Sequence, residues 1–398
     1  MAIASCLLVS AALLADCDDC YVDPPCCDMG SCEIPMGNQC LEYECYMPAF
    51  YDLSCGSGRF LRLEYLRWYG RDINQAYALT ATATPSSPDT DPLLVEPEKY
   101  HYIKPKWENG ARITMGRHSS CDGWDSNISW TYYQNKTTSS VSVPPFALPN
   151  PEIPASAQPF LPGPFEKVLI NPWINQSFTP ADGLSSFYFT SISAKSKFRI
   201  HQLDLELGRK YWLSRCFLLR PFVGGRAVDI HTNFETSSFN VSGPLEDRFT
   251  NKTKAAGLIG GLEPSFYLTS NFVLFGKINL ALVWGQFKMQ KRENYFFQPD
   301  PLAPPQIDYK HKMKSSFYGM EAGMGAQSGL RWEVCWCQDQ FRTALDIGWE
   351  HQIWFDQSIR HLTFENSTNP GLVSFNFFDQ TTSNLAMGGL FVRAQLDF

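Results

Sequence analysis

The chain has 398 residues, a formal net charge of −7, 18% charged residues and 14% aromatic residues. That length admits one large barrel or two ordinary domains, and the acidic balance gives no footing for nucleic acid. The charged fraction falls below the roughly 25% of a typical soluble protein and suits a wall with an apolar, aromatic outer face.

The only long apolar run is Ala2 to Ala15. It is shorter than the roughly 20 residues a membrane helix needs and reads as a signal-peptide core, with cleavage after Ala12 or Ala15. No basic residue precedes it, and Ile3-Ala4-Ser5-Cys6 imitates a lipoprotein box with the apolar run on the wrong side. No other stretch could be a transmembrane helix, so a membrane crossing has to be a closed β-barrel. Residues 1–58 carry nine acids and no Lys or Arg, whereas the remainder has 33 basic and 31 acidic residues. This composition break near Ser57 divides the chain into a signal peptide (1–15), an acidic cysteine-rich segment expected in the periplasm (16–58) and a barrel (59–398).

Beyond residue 58, apolar and polar residues alternate with period two. Trp124, Ile128, Trp130 and Tyr132 share one face, and Asp125, Asn127, Ser129 and Thr131 share the other. Phe341, Leu345, Ile347, Trp349, Ile353 and Phe355 oppose Arg342, Asp346, Glu350 and Gln352. Ten such segments occur, at about 59–69, 107–118, 124–134, 198–212, 217–231, 254–268, 272–288, 315–333, 341–355 and 384–398. Each is long enough for the roughly 9–11 residues of a tilted membrane strand, and they are about two to three times longer than the 5–6 residues usual in a soluble sandwich. Trp68, Trp107, Trp124, Trp284, Trp332 and Trp354 stand near segment ends, where interfacial aromatic belts form.

Short connections (119–123, 213–216, 269–271, 334–340) alternate with long ones (70–106, 135–197, 232–253, 289–314, 356–383). Short turns at one end and long loops at the other define an outer-membrane barrel. The fold expected is all-β, an antiparallel transmembrane β-barrel of ten strands. The stretch 143–180 holds ten prolines and cannot be one strand, yet it has room for a hairpin, so twelve strands is the alternative. The chain closes with Leu390, Val392, Ala394, Leu396 and Phe398 alternating on one face. A last strand ending on Phe is similar to the signal read by the outer-membrane assembly machinery.

Several motifs carry a family resemblance: Phe60-Leu61-Arg62-Leu63-Glu64-Tyr65-Leu66-Arg67-Trp68; Asp122-Gly123-Trp124-Asp125 with Trp130-Thr131-Tyr132-Tyr133; Leu203-Asp204-Leu205-Glu206-Leu207-Gly208-Arg209; and Leu219-Arg220-Pro221-Phe222-Val223-Gly224-Gly225-Arg226. Together they resemble the MOMP-like pore-forming outer-membrane proteins of Legionella and the Chlamydia-related bacteria, over roughly residues 59–398. The resemblance implies a bacterial outer-membrane location and a pore or major surface-protein role. The cysteine-rich segment departs from it.

No metal, nucleophile, phosphate or cofactor motif stands out, and an enzyme is not expected. An outer-membrane protease would need paired acids and His at the rim; His201, His231, Asp229 and His351 lie toward that side without a distinguishing pairing. Gly257 to Gly261 lies in a strand, and the six N-x-S/T triplets belong to Asn- and Thr-rich loops or, at Asn127, to the inward face. The inward face carries both signs. Arg62, Glu64, Arg112, Asp204, Glu206, Arg220, Arg226, Lys277, Arg342, Asp346 and Glu350 are the expected pore-lining residues. The same set could instead form a salt-bridged plug, because ten or twelve strands fall between the filled eight-stranded barrel and the open 16-stranded channel. The function expected is porin-like diffusion of small solutes or ions through a narrow polar lumen, with a structural envelope protein as the alternative.

Of thirteen cysteines, Cys6 leaves with the signal peptide. Cys17, Cys20, Cys26, Cys27, Cys32, Cys40, Cys45 and Cys55 lie in the acidic segment, and Cys121, Cys216, Cys335 and Cys337 lie in or beside short turns. All twelve are therefore expected in the periplasm, where disulfides are the default, and their pairing cannot be read from the sequence. Metal binding at Cys17-x-x-Cys20 is the lesser reading, because no second pair or His lies nearby. Expected partners are outer-membrane lipid, the assembly machinery, and disulfide-linked envelope proteins or further copies of this chain; nucleic acid is not among them.

Overall fold

A computed structural model describes residues 58–72, 76–85, 93–118, 123–144, 167–173, 189–214, 216–240, 243–269, 271–297, 306–336, 341–366 and 375–398. The expected signal peptide, the eight cysteines of the acidic segment, Cys121 and Cys337 lie outside the described residues. Fourteen strands follow in chain order: β1 (Arg59–Asp72), β2 (Ala76–Pro85), β3 (Leu93–Tyr102), β4 (Trp107–His118), β5 (Trp124–Ser142), β6 (Lys167–Ile170), β7 (Ser191–Arg209), β8 (Tyr211–Ser214), β9 (Phe217–Asn240), β10 (Gly243–Tyr267), β11 (Phe272–Phe297), β12 (Gln306–Trp336), β13 (Phe341–Asn366) and β14 (Phe375–Asp397).

Ten of them, β1, β4, β5, β7 and β9–β14, form a closed antiparallel barrel, each pairing with the next and β14 returning to β1. Closure is carried by Leu63 opposite Ala394 and Glu64 opposite Arg393. At the seam Phe398 N donates to Arg59 O at 2.9 Å, and Arg59 N donates to Phe398 O at 3.1 Å. Each segment expected from alternation overlies one of these ten strands.

The register also sets the barrel's dimensions. Following directly opposed residues from Leu63 through β4, β5, β7 and β9–β11 leads to Met320 on β12. Going the other way, through Ala394 and Leu345, leads to Trp332. The two routes meet β12 twelve residues apart. Ten strands with that stagger tilt by about 40° and enclose a backbone radius of about 10 Å. Long side chains from opposite walls meet across such a bore.

The outer face bears an apolar band, with Leu63, Ile128, Leu205, Leu258, Leu280 and Ile347 all exposed. Trp107, Trp124, Trp284 and Trp332 are exposed at its margins. Trp68 and Trp354, expected in the same belts, instead point inward at 0% and 1% exposure. Their parity explains this: Trp68 is an even number of residues from Glu64, and Trp354 from Glu350, so the pleat puts each on the charged face.

Beyond the band, three connections expected as long loops (232–253, 289–314 and 356–383) are largely strand, and β9–β14 run to 23–31 residues. Here the polarity inverts. Phe198, Phe234, Phe249, Phe287 and Met289 face inward, while Lys197, Arg248, Lys252 and Arg292 are exposed. Outside the bilayer the wall meets water, so its apolar groups turn to the core. The expected loops 70–106 and 135–197 contribute a separate three-stranded sheet, β3-β2-β6. Its Tyr77, Ala78 and Leu169, with Trp173, pack on Phe234, Leu245 and Phe249 at the long-loop end. These strands leave the wall at ten, not twelve.

Candidate pore interior

Alternation fixes which side chains enter the bore, and the stagger fixes which of them meet. Near the short-turn end, Arg342 pairs with Asp397 at 2.5 Å and approaches Glu333 at 3.5 Å. Arg220 clamps Asp125, with Nε 2.7 Å from Oδ2, and its Nη1 reaches Glu263 at 2.7 Å. Lys277 holds Glu206 at 2.7 Å.

Farther in, Arg112 joins Glu64 at 3.0 Å and Glu350 at 2.8 Å. Arg393 joins Glu64 and Asp346, both at 3.0 Å, and Arg331 adds a 2.9 Å bond to Asp346. Arg226 pairs with Asp204 at 2.7 Å. Arg62, half-buried, donates from Nε to Gln395 Oε1 at 2.6 Å. All eleven residues expected on the inward face therefore lie in the interior, most of them buried; ion pairs hold ten of them in four neighbouring clusters, and Arg62 is held by its hydrogen bond to Gln395. The space left between them is about 40 Å³, enough for about three waters.

Next along the axis comes an apolar layer that includes Leu66, Trp68, Tyr133, Phe198, Trp354 and Phe391. Gly70 makes room for it: a β-carbon there would stand 2.2 Å from the Phe198 ring. Tyr133 is tied in by its hydroxyl, which donates to Trp68 O at 2.8 Å. Above the layer, the Arg360 guanidinium lies 3.8 Å from the Phe234 ring centre and 4.2 Å from that of Trp173. Lys291 pairs with Glu293 at 2.7 Å. The lumen is thus occupied at three levels, by charge, by apolar packing and by the β3-β2-β6 sheet with Trp173.

Sequence reasoning missed Arg331, Glu333, Lys291, Glu293 and Arg360. Arg331 and Glu333 share parity with the inward Gln327 and were findable by the same alternation. Lys291, Glu293 and Arg360 lie in 289–314 and 356–383, which read as loops, so alternation was not carried into them, although Lys291 and Glu293 share parity with the inward Lys277. Among the described residues, no group of three or more His, Cys, Asp or Glu is placed to hold a metal ion. Cys216 and Cys335 both lie at the short-turn end, beside the start of β9 and near the end of β12.

A closed antiparallel barrel, apolar outside and charged within, with a C-terminal strand that completes the ring, is an outer-membrane β-barrel protein. A family model described as Legionella pneumophila major outer membrane protein precursor matches residues 65–398. The chain belongs to that family and to the bacterial outer membrane.

Among curated proteins none matches significantly. Similar solved structures include the outer membrane protease OmpT from Escherichia coli, at 8% identity and TM-score 0.36, covering 86% of this chain and 97% of that one. The Pseudomonas putida toluene transporter TodX shows 9% identity and TM-score 0.26, over 85% and 89% of the two chains. The translocator domain of the autotransporter NalP from Neisseria meningitidis shows 7% identity and TM-score 0.22, over 86% and 89%.

Proposed function

We propose that the protein is a narrow porin-like barrel that passes small ions or solutes along its charged interior and is closed most of the time by the apolar layer. The observation that carries this reading is the set of buried ion pairs made by Arg112, Arg393 and Arg226 at membrane depth. Replacing a buried ion pair by well-packed apolar side chains is commonly neutral or stabilising, by about 1–4 kcal/mol. A barrel that needed only to be filled would gain by losing these charges. Ionisable residues inside a membrane mark ion and substrate paths by default. In this reading the short turns and both chain ends are periplasmic and the long-loop end faces outward.

The second reading is a structural envelope protein, cross-linked by disulfides and without significant pore activity. The apolar layer from Leu66 to Phe391 favours it. Single-channel recording of the purified, folded protein in planar bilayers separates the two. The pore reading expects brief, small conductance steps that scale with salt. A silent bilayer at every applied voltage supports the structural reading.

A further inference from the structure

The outer wall beyond the apolar band carries a cationic surface that the interior does not explain. The row Trp130–Leu203–Ala227–Ala256–Trp284–Met320, in direct cross-strand register, belongs to the band, and Trp130, Leu203, Trp284 and Met320 are all exposed. Four residues farther along the strands, about 13 Å, begins the first of three basic rows over β5, β7 and β9–β12. In these rows like charges stand directly opposite one another: Lys136 faces Lys197, Lys252 faces Lys288, and Arg292 sits between Arg248 and Lys312. Among the described residues of the three rows Glu235 is the single carboxylate, and Arg248 and Lys195 already hold it. A shallow depression of about 450 Å³ lies in this surface; Lys197, Arg199, His231, Arg248, Lys252 and Arg292 line it, and no carboxylate does.

Like charges directly opposite on a sheet face destabilise it. A wall that repeats the arrangement on neighbouring strand pairs, next to its own membrane band, is built for an anion held at that height. We propose that this surface binds the phosphate-bearing headgroup of an outer-leaflet glycolipid, whose acyl chains lie along Leu203, Trp284 and Met320 below. Lipid anchored in the leaflet brings phosphate and hydrocarbon together in the spatial order the wall presents them. The assignment rests on the long-loop end facing outward.

The test uses the full-length protein folded in neutral detergent, fluorescent rough lipopolysaccharide, and the same lipid after removal of its phosphates. Wild-type protein binds the phosphorylated lipid about tenfold or more tightly than the dephosphorylated one. Lys197→Glu with Lys252→Glu abolishes that preference. In lipid-free detergent its unfolding temperature stays the same or rises, because two repulsive pairs become attractive; a merely structural role for these lysines would lower it. Lys197→Gln with Lys252→Gln gives a second variant should the first fail to fold, and it loses the preference in the same direction.

Equal affinity for the two lipids, or a variant that binds as wild type does, overturns the proposal. Competition by inorganic pyrophosphate as effective as that of the lipid overturns the headgroup assignment in favour of a free phosphate site. Orientation is read separately, by an epitope at residue 155 on intact cells. A hidden epitope with phosphate-selective binding intact refutes the outward orientation and with it the outer leaflet as the source.

Discussion

Arg112 on β4 bonds Glu350 on β13 through both terminal nitrogens, at 3.0 and 2.8 Å, although β1 and β14 stand between those strands in the wall. The bond crosses the bore rather than running along the sheet, so it braces walls that no backbone hydrogen bond connects. With Glu64 as a second acceptor for Arg112, it centres the charged level.

Removing one partner leaves the other buried without its counter-charge, which costs about 3–5 kcal/mol. Glu350→Gln should therefore lower resistance to urea, read by tryptophan fluorescence in detergent. Arg112→Met with Glu350→Leu should recover most of the loss, because the pair itself stabilises little against apolar replacements. A double variant as weak as the single would contradict this account of the brace.

Arg226→Glu places a carboxylate where the guanidinium now bonds Asp204 at 2.7 and 2.9 Å. The charged level of the interior then gains negative charge. Reversal potentials in a salt gradient should move toward cation selectivity. Unchanged potentials would mean that current bypasses Arg226.

The membrane-depth half of the wall was legible in the sequence because a bilayer outside and charge inside impose opposite demands on alternate residues. Leu63 and Glu64 state the rule, and the closing pair Glu64–Arg393 follows it. Above the membrane both environments change, so Phe234 and Phe249 sit inside a region whose charged outer residues resembled a loop. The sheet β3-β2-β6 escaped notice because Ala-Thr alternation in β2 carries little amphipathic contrast. Which interior charges pair was not readable, since Arg112 and Glu350 are brought together only by the barrel's stagger.

The twelve cysteines that remain once the expected signal peptide is removed are expected to be oxidised. Non-reducing electrophoresis of alkylated envelopes distinguishes two arrangements: a ladder that collapses on reduction marks cross-linking to neighbours, and a fast monomer marks a stapled cap within one chain. Twelve alkylatable thiols in freshly lysed cells would refute both.

An epitope inserted at residue 155, in the connection between β5 and β6, should be reached by antibody on intact cells. Labelling only after the outer membrane is broken would reverse the orientation and place the short turns outside.

The apolar level offers the most direct test of the central claim that a charged path exists and is held shut. Trp68 and Trp354 are fully enclosed there, and replacing each by Ala removes about 3–5 kcal/mol of packing along with the bulk that closes the bore. The measurement is single-channel conductance of Trp68→Ala with Trp354→Ala beside wild type, with folding confirmed by resistance to detergent unfolding at room temperature. The account predicts larger and longer openings than in wild type, with selectivity still set by Arg226. A folded double variant that conducts no more than wild type would contradict it.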